Sequence, residues 1–595
     1  MKRILLLLAI CSGLCFYSCN PSGGKKENRV AKGNRYYGGT IRLNEGTPVL
    51  DLYPYYIYDN VSYAIACQIY DGLVKINPKD LSVVPDIAKK WDLDESGTLY
   101  TFHLNTNVNF QDDPCFANGK GKKVTANDFK YSMEQLCTAT PDNVVFSITF
   151  KNTVEGANEY YESSKKGKPS STISGVKVLN DSTIQIKLLK RNPVFLNMLA
   201  GPGGFVLAQE AVEKYGKGLH VGTGPFIYSA ASDSEKLILT ANPNYFRFDS
   251  AGNRLPYVDT LDVTFIQNRA EEFKTFIDGK LDYIVSVPST QVDKMVEEQI
   301  ADFQHRPPKY LLARMPEMST QYYAFNLAKA PFNDIRVRKA FSLAIDRNKI
   351  VSEVLQGEAF APGLHGVTPP TFMYASNPED NYDISNIKGD SLNVELAKKL
   401  LSEAGFPDGK KFPTVSLELN SGGGINTSVA LEVQKELEMN LNVHINFNIA
   451  SFSQKLEDGR YLRYDMIRSG WIADYPNPVD FLQLFLGTNV PDSAGQPSYY
   501  NITRYKNPEY DKLIEQGLAA NSIHEAYKYY QQAEQLAISD APIMVLWYDQ
   551  NYSLTRWPIM ALYPNSMNYL DMSCVYIDQR SVEMLKASQD SAKKK

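Results

Sequence analysis

A chain of 595 residues with 43% apolar and 22% charged residues, and with 37 Gly and 32 Pro spread along it, has the balance of a folded globular protein. That excludes wholesale disorder, a collagen-like repeat and a small disulfide-stapled scaffold, and the length corresponds to about four structural units. The formal charge of -5, from 62 basic and 67 acidic side chains, excludes a basic nucleic-acid-binding face, so no nucleic acid is expected as a partner.

In chain order, Lys2 and Arg3 precede an apolar run from Ile4 to Tyr17 that ends at Ser18 and Cys19. A positive start, an apolar middle and a small residue at the end make residues 1–18 a secretory signal peptide, too short to remain in a membrane as a span. Ser18 directly before Cys19, followed by NPSGGKKENRVAKGN, resembles the lipobox of bacterial lipoproteins, with Phe16 and Tyr17 in place of its usual residues. That resemblance implies lipid on Cys19, a flexible lipidated linker over residues 19–37, and a periplasmic protein anchored to the membrane through Cys19; plain secretion is the alternative. Beyond this segment four thiols remain, Cys67, Cys115, Cys137 and Cys574. An even number in an oxidising compartment permits disulfides, and Cys115 with Cys137 is the expected pair, because a hairpin leading into a helix brings them together.

Alternation of apolar and polar residues predicts strands over 99–104, 176–179, 183–188, 258–265, 415–419 and 443–449, with Asn180 and Asp181 turning the second into the third. Asp334 is a candidate N-cap for a helix in which Val337, Ala340, Phe341, Ala344 and Ile345 repeat at helical spacing. Asp346 restarts a second helix through Leu355, stopped by Gly357, and Ser391 or Asn393 caps a third over 394–404, stopped by Gly405. Mixed elements without a fixed period indicate α/β or α+β domains and not a solenoid.

Several chemistry-bearing patterns are absent. Each Gly-Lys pair lacks the Ser or Thr that a phosphate-binding loop requires next, and there is no G-x-S-x-G elbow. The six histidines are scattered singly, so no metal or other cofactor is expected. Asp92, Asp94 and Ser96 imitate the opening of a calcium loop, but His103 at the twelfth position has no carboxylate, which leaves a β-turn as the better reading. Asp112 and Asp113 before Pro114 read as a solvated turn. An exported hydrolase is disfavoured, since no nucleophile, base and orienting group can be named.

Six blocks then occur in one order: PDIAKKWDLDESGTLYTFHLNTNVNFQDD, VTANDFKYSMEQL, VGTGPFIY with ANPNYF, YYAFNLAKAPFNDIRVRKAFSLAIDRNKIV, AKKLLSEAGFPDG and SGWIADYPNPVDFLQLF. Together they resemble the large substrate-binding proteins of peptide ABC transporters, the peptide/nickel family of oligopeptide- and dipeptide-binding proteins, over roughly residues 40 to 560. The resemblance implies an α/β, periplasmic-binding-protein-like clamshell of two lobes with an extra inserted domain and mixed sheets flanked by helices. Lobe I would take residues 38–70, 207–318 and 548–595, the inserted domain 71–206, and lobe II 319–547. Cys67 and Cys574 would then both lie in or near lobe I, where a second bridge is conceivable. The implied function is non-enzymatic: a monomer captures a peptide ligand between the lobes and delivers it to an ABC permease. Relatives of the same fold that take a metal chelate, haem, an opine or a sugar leave other cargo open, and a surface glycan-binding or adhesion lipoprotein is a further alternative.

The charges of a free peptide indicate where the site should lie. Enclosing its ammonium or its carboxylate without an opposite charge costs several kcal/mol. In the family an Asp of the W-x-x-D block meets the α-amine, which implies Asp474, with Trp471 and Tyr475 beside it. Arg468, six residues earlier, matches a family position near the ligand and is a candidate for the carboxylate. Ser421 and Gly422, in NSGGGIN before a helix expected near Thr427, are candidates to offer backbone N–H groups to an anion. Tyr58 and Asp59, at the end of a tyrosine-rich stretch, are candidates to line the cleft.

Overall fold

Two segments rich in β-branched and aromatic residues become the longest strands of the molecule, Tyr310–Phe325 and Ile543–Arg556, paired antiparallel. Pairing slips between Pro316 and Thr320 and again between Gln321 and Tyr322, so each strand bends along its length. The computed structural model describes residues 29–584 except 168, 170–171, 233–235, 286, 289–290, 293, 299–307, 375–380, 423 and 494; the expected signal peptide, residues 1–18, and Cys19 lie outside the described residues.

The long pair belongs to a seven-stranded mixed sheet in the order Tyr283–Ile284, Ile543–Arg556, Tyr310–Phe325, Met466–Ile472, Val415–Asn420 and Ile445–Ala450, with Ala359–Pro362 also on Ile543–Arg556. A four-stranded sheet runs Phe226–Ser232, Lys236–Ala241, Thr260–Thr264 and Thr40–Asn44, the last joining parallel. A second four-stranded sheet, wholly antiparallel, orders Ala88–Leu93, Leu99–Leu104, Thr183–Lys187 and Val176–Asn180.

Helices cover these sheets where the periodicity predicts them. Asp334 accepts from the Arg336 N–H at the start of Ile335–Leu343, Asp346 from Lys349, and Asn393, not Ser391, from Leu396 at the start of Val394–Glu403. These helices and Gly424–Leu441 close one core around Phe325, Phe341, Leu417 and Leu437, all inaccessible to solvent. The segment after Asp346 differs from an ordinary helix: Ile350–Leu355 widens into a π-turn before Gly357. Asp94 accepts from the Thr98 and Leu99 N–H groups at 2.9 and 2.8 Å, which makes the calcium-like segment a hairpin turn between Ala88–Leu93 and Leu99–Leu104.

Largely buried ion pairs and hydrogen bonds join the segment 71–86 to loop residues beyond 220. Lys75 meets Asp571 at 2.6 Å, Arg247 meets Asp86 at 2.8 Å, and Asp71 accepts from Thr223 and Tyr245. Breaking one partner of such a pair leaves a charge in a medium that cannot solvate it.

Two expectations need correction. Cys115 and Cys137 are free thiols, as are Cys67 and Cys574. Cys137 is sealed in the core at the end of helix Ala126–Leu136, while Cys115 is held in a turn by its N–H bond to Asp113, so the helix carries one thiol away from the other. Residues 29–37, expected as the end of a flexible linker, form a docked hairpin of Arg29–Val30 with Tyr36–Tyr37. Arg35 pairs with Asp249, the Lys32 N–H donates to Asn253 at 2.8 Å, and the rings of Tyr37 and Tyr257 lie 5.1 Å apart.

Candidate functional site

The Met466–Ile472 strand changes character along its length. Met466 and Ile467 are buried and 468–472 are half-buried, because the outer part faces a cavity of 520 Å3. Toward Tyr310–Phe325 the strand is paired from Met466 to Ile472, whereas toward Val415–Asn420 the pairing ends at Ile467. Residues 468–472 therefore present an edge with no strand beside it among the described residues, and all five line the cavity. Alternate N–H and C=O groups of such an edge are free to bond a further extended chain.

The chain leaves the strand at Ala473, whose N–H donates to the Met318 carbonyl at 2.9 Å, and this turn delivers Asp474 to the cavity wall. The Asp474 carboxylate has neither a hydrogen bond nor an ion pair among the described residues. It keeps contact with solvent through the cavity, yet the surrounding wall removes enough water to push it up to about 7. Its orientation is set from behind by Asp480, which is fully buried and accepts from the Asp474 N–H at 2.9 Å, from Trp471 Nε1 at 2.9 Å and from Gln483 Nε2 at 2.7 Å. Burial, and next the nearby Asp474, raise the Asp480 carboxyl well above the usual carboxylate range. Trp471 thus serves both as cavity wall and as donor to the supporting acid, and its ring packs 5.3 Å from that of Tyr500, whose buried hydroxyl has no partner. Tyr475 is buried behind the same turn.

At the other end of the strand lies a basic group of side chains. Arg468 donates to Gln321 Oε1 at 2.6 Å and to Asn420 Oδ1 at 3.5 Å; among the described residues its Nε has no partner and no carboxylate lies in ion-pair contact with it. Burial lowers its pKa, as expected for a cation without a counter-ion. Tyr58 and Asp59, just before helix Asn60–Ile69, also line the cavity. Asp59 caps helix Asn60–Ile69 through Ser62, its Oδ2 is buried without a partner among the described residues, and burial raises its pKa.

Six of the eight ligand-binding candidates, Asp474, Trp471, Arg468, Tyr475, Tyr58 and Asp59, line this one cavity. Ser421 and Gly422 do not; both are exposed, and Gly422, at φ +83°, packs against Gln267, while their neighbour Asn420 is the lining residue. Asp480, Gln321, Lys455 and Arg460 were absent from the sequence-based set. Asp480 carried a signal, a second acid in the same block nine residues after Trp471. Lys455 and Arg460 carried none, since they are ordinary cations on helix Phe452–Arg460.

Among the described residues no helix is long and apolar enough to cross a membrane. Residues 82–492 match the family described as bacterial extracellular solute-binding proteins, family 5 Middle. The chain is 29% identical over 524 residues to the periplasmic oligopeptide-binding protein OppA of Salmonella typhimurium, covering 87% of this chain and 88% of that one. A crystal structure of a periplasmic oligopeptide-binding protein from Borrelia burgdorferi superposes with a TM-score of 0.76 at 26% identity, over 90% of this chain and 99% of that one. DppA of Helicobacter pylori, in complex with the peptide STSA, has the same fold, with a TM-score of 0.75 at 22% identity over 92% and 99% of the two chains. The architecture is the two-lobed α/β fold of periplasmic binding proteins. A match over more than half its length makes this chain a member of family 5 of the bacterial extracellular solute-binding proteins.

Proposed function

We propose that the protein is the extracytoplasmic binding component of an ABC importer, capturing peptides in the cavity and passing them to a membrane permease. One observation carries this reading: an unpaired carboxylate, Asp474, stands at one end of an open strand edge and an unpaired guanidinium, Arg468, at the other. The two charges mirror those of a free peptide, and the strand edge bonds its main chain whatever its side chains. Asp474 takes the α-ammonium, Arg468 the carboxylate, and Trp471, Tyr475 and Tyr58 wall the space between. The relatives named as oligopeptide-binding proteins support the choice of cargo.

Closure follows from the two long strands. Lobe I comprises 38–70, 207–318 and 548–595, the inserted domain 71–206 and lobe II 319–547; the lobes meet where Tyr310–Phe325 and Ile543–Arg556 slip register, and the bend there is the hinge. Lipid on Cys19 tethers the protein, a monomer, at the membrane; replacing Cys19 by Ser should release it into the soluble fraction. The function is tested by native mass spectrometry and calorimetry with short free and N-acetylated peptides. Free peptides should bind and acetylated ones bind weakly; equal affinity for both would overturn the assignment of Asp474.

A further inference from the structure

The charges lining the cavity do not balance. Among the described residues its wall carries two acids, Asp59 and Asp474, and three cations, Lys455, Arg460 and Arg468. A peptide with free ends brings one charge of each sign, so it satisfies Asp474 and Arg468 and leaves Lys455 and Arg460 unanswered. Asp59 caps its helix through Oδ1, and its Oδ2 has no partner among the described residues.

Among the described residues neither remaining cation has an acid in ion-pair contact. Lys455 is 4% exposed, and its ammonium makes one hydrogen bond, to the Arg468 carbonyl at 3.3 Å, which leaves two of three donors unused. Burial and then Arg468 push it down to about 7, and the one acid that acts on it, Glu418, is outside ion-pair contact and is itself pushed up to about 7 by burial and Asp458. The Arg460 guanidinium carbon lies 3.8 Å from the ring centre of Tyr499 and 5.6 Å from that of Tyr58, and its Nε is buried without a partner among the described residues. Such ring contacts leave the N–H fork of a guanidinium available to a carboxylate. The acids nearest Arg460 are already committed, Asp142 to Lys217 and Glu457 to Arg463.

We propose that the cavity is built for acidic peptides, in which a side-chain carboxylate, additional to the terminal one, is held by Lys455 and Arg460. This rests on the peptide-binding reading and adds a cargo class to it. Without such a group the closed cleft traps uncompensated positive charge; with it, the buried Lys455 and the half-buried Arg460 each gain a charge-assisted partner.

The test is calorimetry on the full protein with pairs of tripeptides and tetrapeptides that differ only by Glu against Gln, placed in turn at each internal and terminal position. At one position the Glu peptide should bind about tenfold more tightly than its Gln partner. Arg460→Gln, and separately Lys455→Met, should each reduce that ratio by about threefold or more, with folding checked by thermal melting; either variant suffices if the other does not fold. Binding of Gln peptides with no preference for Glu at any position would overturn this inference and leave the peptide-binding reading standing. Binding of neither set would overturn both.

Discussion

The two ends of the cavity solve opposite electrostatic problems by different means. At the acidic end Asp474 is backed by a second carboxylate, Asp480, which absorbs three donors and thereby locks the turn and Trp471 in place. At the basic end the cations are backed by amide and carbonyl oxygens and aromatic faces, from Gln321, Asn420, the Arg468 carbonyl, Tyr58 and Tyr499. Neither end closes its own charge. A folded protein ordinarily pairs what it buries, so charge left open on both sides of one cavity is the imprint of a ligand with the complementary pattern. The ends also differ in precision: the acidic end offers one fixed carboxylate, whereas the basic end offers three donors groups apart, suited to more than one ligand anion.

The comparison can be broken most directly at Asp474. Asp474→Asn keeps the shape and removes the charge, and it should weaken binding of a free peptide by about 3 kcal/mol while barely changing that of the N-acetylated form, as measured by a calorimetric double-mutant cycle. At the opposite end, Arg468→Gln should weaken free peptides by about 2 kcal/mol and abolish discrimination against C-terminally amidated ones. Persistent discrimination would move the terminal carboxylate to Lys455 or Arg460.

Titration sharpens the contrast, because the two ends respond to protons in opposite senses. Asp474 sits at about 7 in the empty cleft, so below that pH it is neutral and must lose a proton before facing an ammonium. Affinity for neutral peptides should fall with each unit below pH 7, by up to about 1.4 kcal/mol, and the dependence should vanish in Asp474→Asn. Lys455, pushed down to about 7, gains charge over the same range, so the advantage of a Glu peptide over its Gln partner should grow as pH falls. The smallest effect is expected for Trp471→Phe, which keeps the wall but removes one donor from Asp480. About 1 kcal/mol of stability should be lost in denaturant titration, with a smaller loss of affinity.

Much of the fold was legible because it is local. Every predicted strand recurs within a few residues, the Asn180 hairpin forms, and Asp334 and Asn393 cap their helices, since alternation and capping depend on neighbours in the chain. Asp474 and Trp471 were legible through one short block that resembles the family, with Arg468 just before it, although the strand Met466–Ile472 carries only Arg468 and Trp471. Lys455 and Arg460 were not, because five residues on a helix do not share a face, and only the packing of Phe452–Arg460 against the strand end brings both to the cavity. The cysteines failed in the same way: Cys115 and Cys137 are near in sequence, but the intervening helix fixes where the second thiol goes.

By itself, then, the amino-acid sequence determined the element pattern, a consequence of short-range periodicity, and its resemblance to a family pointed to the stretch that carries Arg468 and Asp474. The tertiary structure alone decided that the strand edge beyond Ile467 stays open, that Asp480 stands behind Asp474, and that three cations, two from helix Phe452–Arg460 and one from the strand, share a cavity with two acids. Burial is the physical reason. Whether a charge is answered or left waiting depends on what the fold brings within a few ångströms of it, which spacing along a chain does not specify.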